Sequence, residues 1–394
     1  MNYLEVKRNQ FESDLAYDKR KGYVLQYMLP RMDVNDRAVP AKMRNAVAVS
    51  PDVMKDVEAF WRGILNSHTD LLNMDYFAIY NAVERDKSML KFYIPDSFFY
   101  AFIDEWLTHP KRSTQVDDKQ LYKYLFAGVR TTEVVARKVG DNFFDADFNK
   151  IGVVDFINLC KAEAEVVVKA SISSYGGHAV KFWDSKKETP EQLLAYINKP
   201  PYFYTQPYGT EYVVERVIKQ HPDMARFNPS SINTIRIMTM IYDSKFISLS
   251  SVLRIGVNGS RVDNCSSGGI VCGIEQNTGR TKREAYNANG DKFTEHPQTG
   301  AFGDICIPSW EKVLQVVEKL AWRFSGISQL ISWDIAIDDN GEPVVIEMNI
   351  SYGELDFHQY CNGPIFGDMT PEILKKFKYK SYSYNAFIGN IGIY

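Results

Sequence analysis

The feature that most constrains this chain is the segment SWDIAIDDNGEPVVIEMN near its C-terminal end. Asn-Gly preceded by Asp, between two apolar runs, is a strong hairpin signal. Asp334 then falls near the end of one strand. Glu347 and Asn349 take alternate positions at the end of its partner, which puts their side chains on one face. Both acids lie inside apolar runs, where an unpaired charge is costly. Two carboxylates and a carboxamide oxygen are hard ligands, and with phosphate oxygens and water completing the shell they suit Mg²⁺ better than Zn²⁺.

The surroundings of this hairpin read as a sheet. From Tyr212 onward YVVERVI, NTIRIMTMIY, FISLSSVLRIG and GGIVCGIE follow one another with short turns, as in an antiparallel sheet, and a helix from about Trp310 to Phe324 precedes the hairpin. Between Asp117 and Ser171 strands alternate with helices: QLYKYLFAGV as a short helix, TTEVVARKV as a strand, VDFINLCKAEA as a helix and EVVVKAS as a strand. From Met1 to about Ser88 the pattern is helical. VMKDVEAFWRGIL brings Val53, Val57, Phe60, Trp61 and Leu65 near one face behind a Ser50-Pro51-Asp52 start signal. After Phe92-Tyr93-Ile94-Pro95, DSFFYAFIDEWL reads as a second helix. This N-terminal part reads as scaffold, with no chemical site assembled in it. The 394 residues allow two or three domains, and no repeat or low-complexity linker separates them.

Two further motifs bear on function. In VVVKASISSYGGHAV a strand ends in Lys169 and runs into a loop of small residues, Ser171, Ser173, Ser174, Gly176 and Gly177, before a new strand at about Ala179. Small residues let backbone N–H groups approach phosphate oxygens, and the lysine adds a point charge; a Gly-Gly hairpin turn is the plainer alternative. Three serines and two glycines offer little burial, so residues 171–178 are expected to form a mobile flap. The segment matches neither GxxxxGK[ST] nor GxGxxG, which removes the P-loop and the Rossmann fingerprint. Arg236 in NTIRIMT and Arg254 in VLRIG lie on adjacent predicted strands. Arginine among apolar strand neighbours has a buried anionic partner as a rule, and its planar fork suits phosphate or carboxylate as well as a structural salt bridge. Asp263-Asn264 and Ser267-Gly268-Gly269 form a polar turn expected to face the same cavity. His178 and His296 are candidates for acid/base work, although a lone histidine more often serves structure.

A formal net charge of −3 gives no global positive field to gather phosphate backbones, so no nucleic-acid partner is expected. Five cysteines without CxxC spacing indicate neither a disulfide framework nor a thiolate zinc site. The charged N-terminus does not read as a secretory signal, and no stretch supplies the ~20 apolar residues of a membrane span. These features point to a soluble, cytoplasmic protein.

Taken together, Lys119, Lys169 before the small-residue loop, the hinge-like YVVERVI, Arg236, Arg254, Asp334 and the Glu347/Asn349 pair resemble the ATP-grasp superfamily. SINTIRIMT, LRIG, RVDNCSSGGI and the final hairpin look more narrowly like the sugar-transfer associated ATP-grasp family, found with exopolysaccharide and capsule biosynthesis genes. The resemblance covers about Tyr93 to Gly363. It implies an α+β ATP-grasp fold, two α/β subdomains gripping the nucleotide, with an added N-terminal helical region: 1–92 helical, 93–210 the N-terminal ATP-grasp part with the flap, 211–394 the C-terminal part with the metal site. Carried over by position, it makes Lys119, Lys169 and the loop residues Ser174, Gly176 and Gly177 phosphate contacts. It sets the adenine against the backbone of Glu215, Val217 and Ile218, and Mg²⁺ on Asp334, Glu347 and Asn349. Arg236 and Arg254 then hold the γ-phosphate and an acyl phosphate. The acid that grips the ribose in many relatives is not evident after the hinge, where Gln220, His221 and Asp223 stand.

The chemistry implied is ATP- and Mg²⁺-dependent carboxylate–amine ligation through an acyl phosphate, with a small-molecule carboxylate and an amine as substrates and a sugar, uronic acid or amino acid on one side, in polysaccharide tailoring. Arg236 and Arg254 together read as more anion-binding capacity than a metal-bound triphosphate requires, so one of them, Arg254 first, is expected to grip the substrate carboxylate. A phosphotransferase on the same fold and a nucleotide-binding regulator without turnover are the alternatives.

Overall fold

The computed structural model describes residues 28–65, 69–113, 115–172, 179–200, 210–303 and 305–376. The alternation of apolar runs and turns after Asp118 builds a first sheet from β1 (Val134–Val139), β2 (Asn142–Asp145), β3 (Lys150–Ile151), β4 (Val166–Ala170), β5 (Val180–Trp183) and β6 (Tyr212–Arg216). Its spatial order is β3-β2-β1-β6-β4-β5, with every pairing antiparallel. Helix Val153–Ala162 buries Phe156, Ile157 and Cys160, and helix Pro190–Ile197 buries Leu193 and Ile197, in one core with Val166, Val168, Trp183 and Val214. The YVVERVI run is strand only as far as Arg216. The Arg216 N–H donates to Glu133 O, one residue before β1 begins, so Val217 and Ile218 have no ladder to join and continue as loop.

The second sheet takes β7 (Ile235–Tyr242), β8 (Lys245–Ile255), β9 (Ile270–Ile274), β10 (Thr281–Tyr286) and β11 (Lys292–Phe293); a small separate hairpin, β12 (Glu295–His296) with β13 (Gly300–Ala301), precedes its last two strands, β14 (Leu330–Ile337) and β15 (Pro343–Asn349). The order is β11-β10-β9-β8-β7-β14-β15, again antiparallel throughout. The β14–β15 turn is the Asp-Asn-Gly hairpin, with Gly341 at φ +78°, a conformation open to glycine at little cost. Strand alternation gives the sheet two unlike faces. Ile235, Ile237 and Trp333 pack on helix Trp310–Phe324, whose Val313, Val317 and Leu320 point inward at helical spacing. Met238, Met240 and Val252, on the other face, pack beneath an N-terminal helical layer and the C-terminal helices Leu355–Asn362 and Thr370–Lys376.

In that layer helix Pro51–Leu65 buries Val57, Trp61 and Leu65, and residues 96–107 run as one helical segment wound as a π-helix over Phe99–Ile103. The result is a mixed α+β chain with an N-terminal helical region. The two sheets touch where the segment before β1 runs along the β15 edge: the Val345 N–H donates to Arg130 O at 2.9 Å, and Thr131 pairs with Val345 in parallel sense.

Candidate active site

Register builds the site. Arg236 of β7 lies directly opposite Asp334 of β14, and Asp334 lies opposite Glu347 of β15, two residues along from the Ser332/Asn349 pair. The side chains therefore share one sheet face. Arg236 grips Asp334 with its planar fork, Nε to Oδ1 at 2.8 Å and Nη2 to Oδ2 at 2.7 Å, and Arg254 Nη1 reaches the same Oδ2 at 3.2 Å. Burial alone pushes a carboxyl upward, but these two guanidiniums prevail and hold Asp334 down at about 2.

Both arginines have further partners. Arg236 Nη1 meets Glu354 Oε2 at 2.5 Å, and Arg254 Nη2 donates to Asp263 Oδ1 at 2.9 Å and to Asn264 Oδ1. Asp263 Oδ2 in turn accepts the Thr234 N–H at 3.0 Å. The reading of the two arginines as surplus anion-binding capacity is thus corrected: both forks are engaged by acids of the chain itself. The Asp263-Asn264 turn does face this cluster, as its sequence suggests.

The lysines come from the first sheet's side. Asp118 caps the turn Lys119–Leu121 by accepting from the Gln120 N–H, and the Lys119 N–H donates to Ser171 O at 2.8 Å. Lys119 Nζ then crosses to the second sheet and pairs with Glu347 Oε1 at 2.7 Å. Burial disfavours its charge, yet Glu347, with Tyr122 and Asp117 behind it, raises the pKa above the ordinary lysine value. Burial raises neighbouring Asp117 to about 6. Lys169 Nζ pairs with Glu215 Oε2 at 2.7 Å across the β4–β6 pairing, and Thr132 Oγ1 donates to Glu215 Oε1 at 2.6 Å. Ser171, where the expected flap begins, is buried, and its N–H donates to Glu211 O at 3.0 Å; Ser174, Gly176, Gly177 and His178, with the rest of the flap from 173 to 178, lie outside the described residues.

Val217 and Ile218 line a cavity of about 240 Å³ with Thr132, Lys219, Asp338 and Val344. Gln220 and His221 are spent locally: Gln220 Nε2 donates to Asn228 O at 3.2 Å and His221 Nδ1 caps the turn beginning at Pro222. His296 is structural, with Nε2 against Gly256 O at 3.1 Å.

The three candidate metal ligands form an all-oxygen set, which fits Mg²⁺ by chemistry. Glu347 is partly exposed, and the Asn349 side-chain amide hydrogen-bonds Asp334. Asp334 has both oxygens on arginine, and its service to a metal competes with Arg236 and Arg254. Of the two carboxylates, Glu347 is the more open to an ion. No group of three or more His, Cys, Asp or Glu side chains able to hold a metal occurs among the described residues.

The sugar-transfer associated ATP-grasp family matches residues 109–372, about two thirds of the chain. The chain belongs to that family. Its fold is accordingly the ATP-grasp fold, with the N-terminal helical layer largely outside the matched region. None of the curated proteins matches the sequence. Among solved structures, the biotin carboxylase domain of a Hydrogenobacter thermophilus 2-oxoglutarate carboxylase, in complex with MgADP, ADP and bicarbonate, is similar over 68% of this chain and 46% of that one, at 14% identity and a TM-score of 0.42. The Enterococcus faecalis VanG D-Ala:D-Ser ligase is similar over 69% of this chain and 63% of its own, at 13% identity and TM-score 0.39. An L-amino acid ligase of Bacillus licheniformis covers 70% and 51%, at 13% and 0.39. The family member thus spans about half the length of the first of these and under two thirds of the others.

Sequence reasoning missed Glu354, Thr132, and the N-terminal residues behind the site, Arg31, Lys42, Tyr100 and Asp104. Each acts through a contact distant in sequence. Only Glu354, five residues after Asn349, had a local hint.

Proposed function

We propose that this ATP-grasp protein is an ATP- and Mg²⁺-dependent carboxylate–amine ligase working through an acyl phosphate, with a sugar, uronic acid or amino acid among its substrates, in polysaccharide tailoring. The observation that carries the reading is the run of cation–carboxylate pairs along the junction of the two sheets: Lys169–Glu215, Lys119–Glu347 and Arg236/Arg254–Asp334. The family's name supports the link to sugar transfer.

In this reading the adenine lies by Val217 and Ile218, and Lys119 and Lys169 exchange carboxylate for phosphate oxygens. Mg²⁺, when held by Glu347 and Asn349 with Asp334 behind them, screens the phosphate charge. Arg236 and Arg254, preorganised by Asp334 and Asp263, face the site where charge builds on the transferring phosphoryl group. The carboxylate attacks the γ-phosphorus, ADP leaves, and the amine then displaces phosphate from the acyl carbon. Incubation with Mg·ATP, hydroxylamine and a panel of amino acids, uronic acids and sugar acids should yield ADP and a hydroxamate with the correct acid. A stable phosphate ester, with no hydroxamate from any acid, overturns the ligase reading in favour of phosphotransfer.

A further inference from the structure

Lys119, Lys169, Arg236 and Arg254 are each engaged by a carboxylate. A fifth buried cation beside the site is not. Arg137 of β1 lies opposite Val213 of β6, and Lys169 of β4 lies opposite the same Val213 from the other side. Directly paired residues point to one face, so Arg137 and Lys169 stand in one row across three strands, on the face that also carries Glu215. Ala136, next to Arg137 in the strand, packs into the helix-covered core on the opposite face.

The Arg137 side chain is wholly buried yet meets only neutral groups. Nη1 donates to Gln120 O at 2.8 Å and to Gln120 Oε1 at 2.9 Å, Nε and Nη2 both donate to Ala146 O at 3.4 Å, and the guanidinium carbon lies 4.3 Å from the centre of the Phe148 ring. Among the described residues Arg137 forms no ion pair, and the acids that act on it, Glu215, Asp118 and Asp147, do so through space. A buried charge without an ionic partner is costly. As a fastener between Gln120 and the turn after β2, a neutral amide would cost less. The charge itself therefore calls for a use.

That use lies one residue from the fork. Gln120 follows Lys119, and its Nε2 donates to Tyr212 O at 3.1 Å, so the turn bearing Lys119 is tied to the first sheet through Gln120. Three acids stand around Lys119: Asp117 and Asp118 before it in the chain, and Glu347 across from it. One lysine among three acids is a poor receptor for phosphate unless a second cation offsets them. We propose that Arg137 is a positioning residue of the nucleotide site, one that touches no substrate: its fork holds the Lys119 turn, and its charge offsets the surrounding acids so that a polyphosphate can take the lysine. The inference rests on the reading of Lys119 as a phosphate contact and on no step of ligation.

The test compares a charged ligand with an uncharged one on the full chain, Mg·ADP by calorimetry and adenosine by equilibrium dialysis. Strands ~4.8 Å apart put Arg137 ~10 Å from Lys169 along the row. A unit charge at that distance, at an effective dielectric constant of about 20, changes the affinity for a net charge of −1 by roughly 10–20-fold. Arg137→Gln keeps N–H donors for Gln120 and Ala146 but no charge. It should weaken Mg·ADP by that factor and adenosine by no more than about twofold. Arg137→Lys, with the charge but without the planar fork, should bring Mg·ADP back to within about fivefold of wild type. A purely structural arginine predicts the reverse, with both ligands weakened together and glutamine and lysine alike. That pattern, or unchanged Mg·ADP affinity in Arg137→Gln, overturns the proposal. Should Arg137→Gln show no cooperative melt, Gln120→Met removes the side-chain half of the fork's hold and should weaken Mg·ADP about threefold at unchanged adenosine affinity; equal affinities for both ligands in that variant and wild type overturn the proposal as well. Unchanged Mg·ADP affinity in Lys119→Met overturns the phosphate contact itself, and the role of Arg137 with it.

Discussion

Replacing Asp104 by asparagine should make the protein less sensitive to alkali. Asp104 is buried, and burial raises its pKa from the ordinary carboxyl value of 3.8 to about 7, against the pull of Arg31 and of the Tyr352 N–H. The folded chain therefore holds this proton up to about neutrality, while the unfolded chain releases it near pH 4. Between those values the unfolded state binds fewer protons, so stability falls as pH rises. At 1.36 kcal/mol per unit, the full loss is roughly 4 kcal/mol once the pH is well above 7. Of this, roughly 2–3 kcal/mol falls between pH 5 and pH 8. Asparagine keeps an oxygen for the Tyr352 N–H and has no proton to lose. Its stability relative to wild type should therefore rise by that amount over the interval. With ~2.1 cal/mol/K of unfolding entropy per residue, a cooperative melt of the whole chain converts this to a gain of roughly 3 °C in midpoint at pH 8 relative to pH 5. Paired thermal melts by circular dichroism at the two pH values measure it. A midpoint difference between variant and wild type that does not change with pH refutes the assignment of a held proton at Asp104.

Glu347→Gln should retain the fold but lose Mg·ATP turnover by ~10²–10³, as for other removed electrostatic stabilisers; unaltered turnover at ordinary Mg²⁺ removes Glu347 from the metal site, and calorimetry with Mg·ADP reads the binding loss directly. Lys42→Met leaves buried Asp96 and half-buried Asp356 without their ammonium, previously 3.3 and 2.8 Å away, and should cost about 3–5 kcal/mol at pH 8. Because burial already raises Asp96 to about 6, it can protonate, and the loss should shrink toward pH 5; equal destabilisation by denaturant at both pH values contradicts this.

Local signals made much of the fold legible. The Asp-Asn-Gly turn fixed the β14–β15 hairpin and, through the period of two, the shared face of Glu347 and Asn349. The 3.6-residue spacing of Val313, Val317 and Leu320 marked the helix between Trp310 and Phe324. Apolar alternation marked β7 and β8 with Arg236 and Arg254. What stayed hidden depends on contacts that no window contains. The end of β6 at Arg216 is set by where β1 begins, so YVVERVI reads as longer than its ladder. Tyr352 and Glu354 carry no signature of positive φ, since the residues that enforce it, Tyr100 and Asp104, stand some 250 positions earlier. For the same reason DSFFYAFIDEWL reads as plain scaffold although it holds both of them.

The charge pairing bears on how a nucleotide can enter. Lys119, Lys169, Arg236 and Arg254, the cations that the sequence marks for phosphate, each already hold a carboxylate. Phosphate binding is then an exchange of partners, and every lysine that turns to phosphate strands an acid in a poorly solvated place, a cost of several kcal/mol if nothing replaces the cation. Glu347 is the acid for which a replacement is at hand, because it belongs to the oxygen set that fits Mg²⁺. Glu215 keeps the Thr132 hydroxyl, which softens the loss of Lys169. Asp334 is held by Arg254 as well as by Arg236, and its fork to Arg236 is the one bidentate grip among the four pairs, with two bonds below 3 Å. Under the proposed function, the arginines are the part of the site expected to stay in place and the lysines the part expected to change partner, with positioning left to the second sheet and phosphate capture to the first.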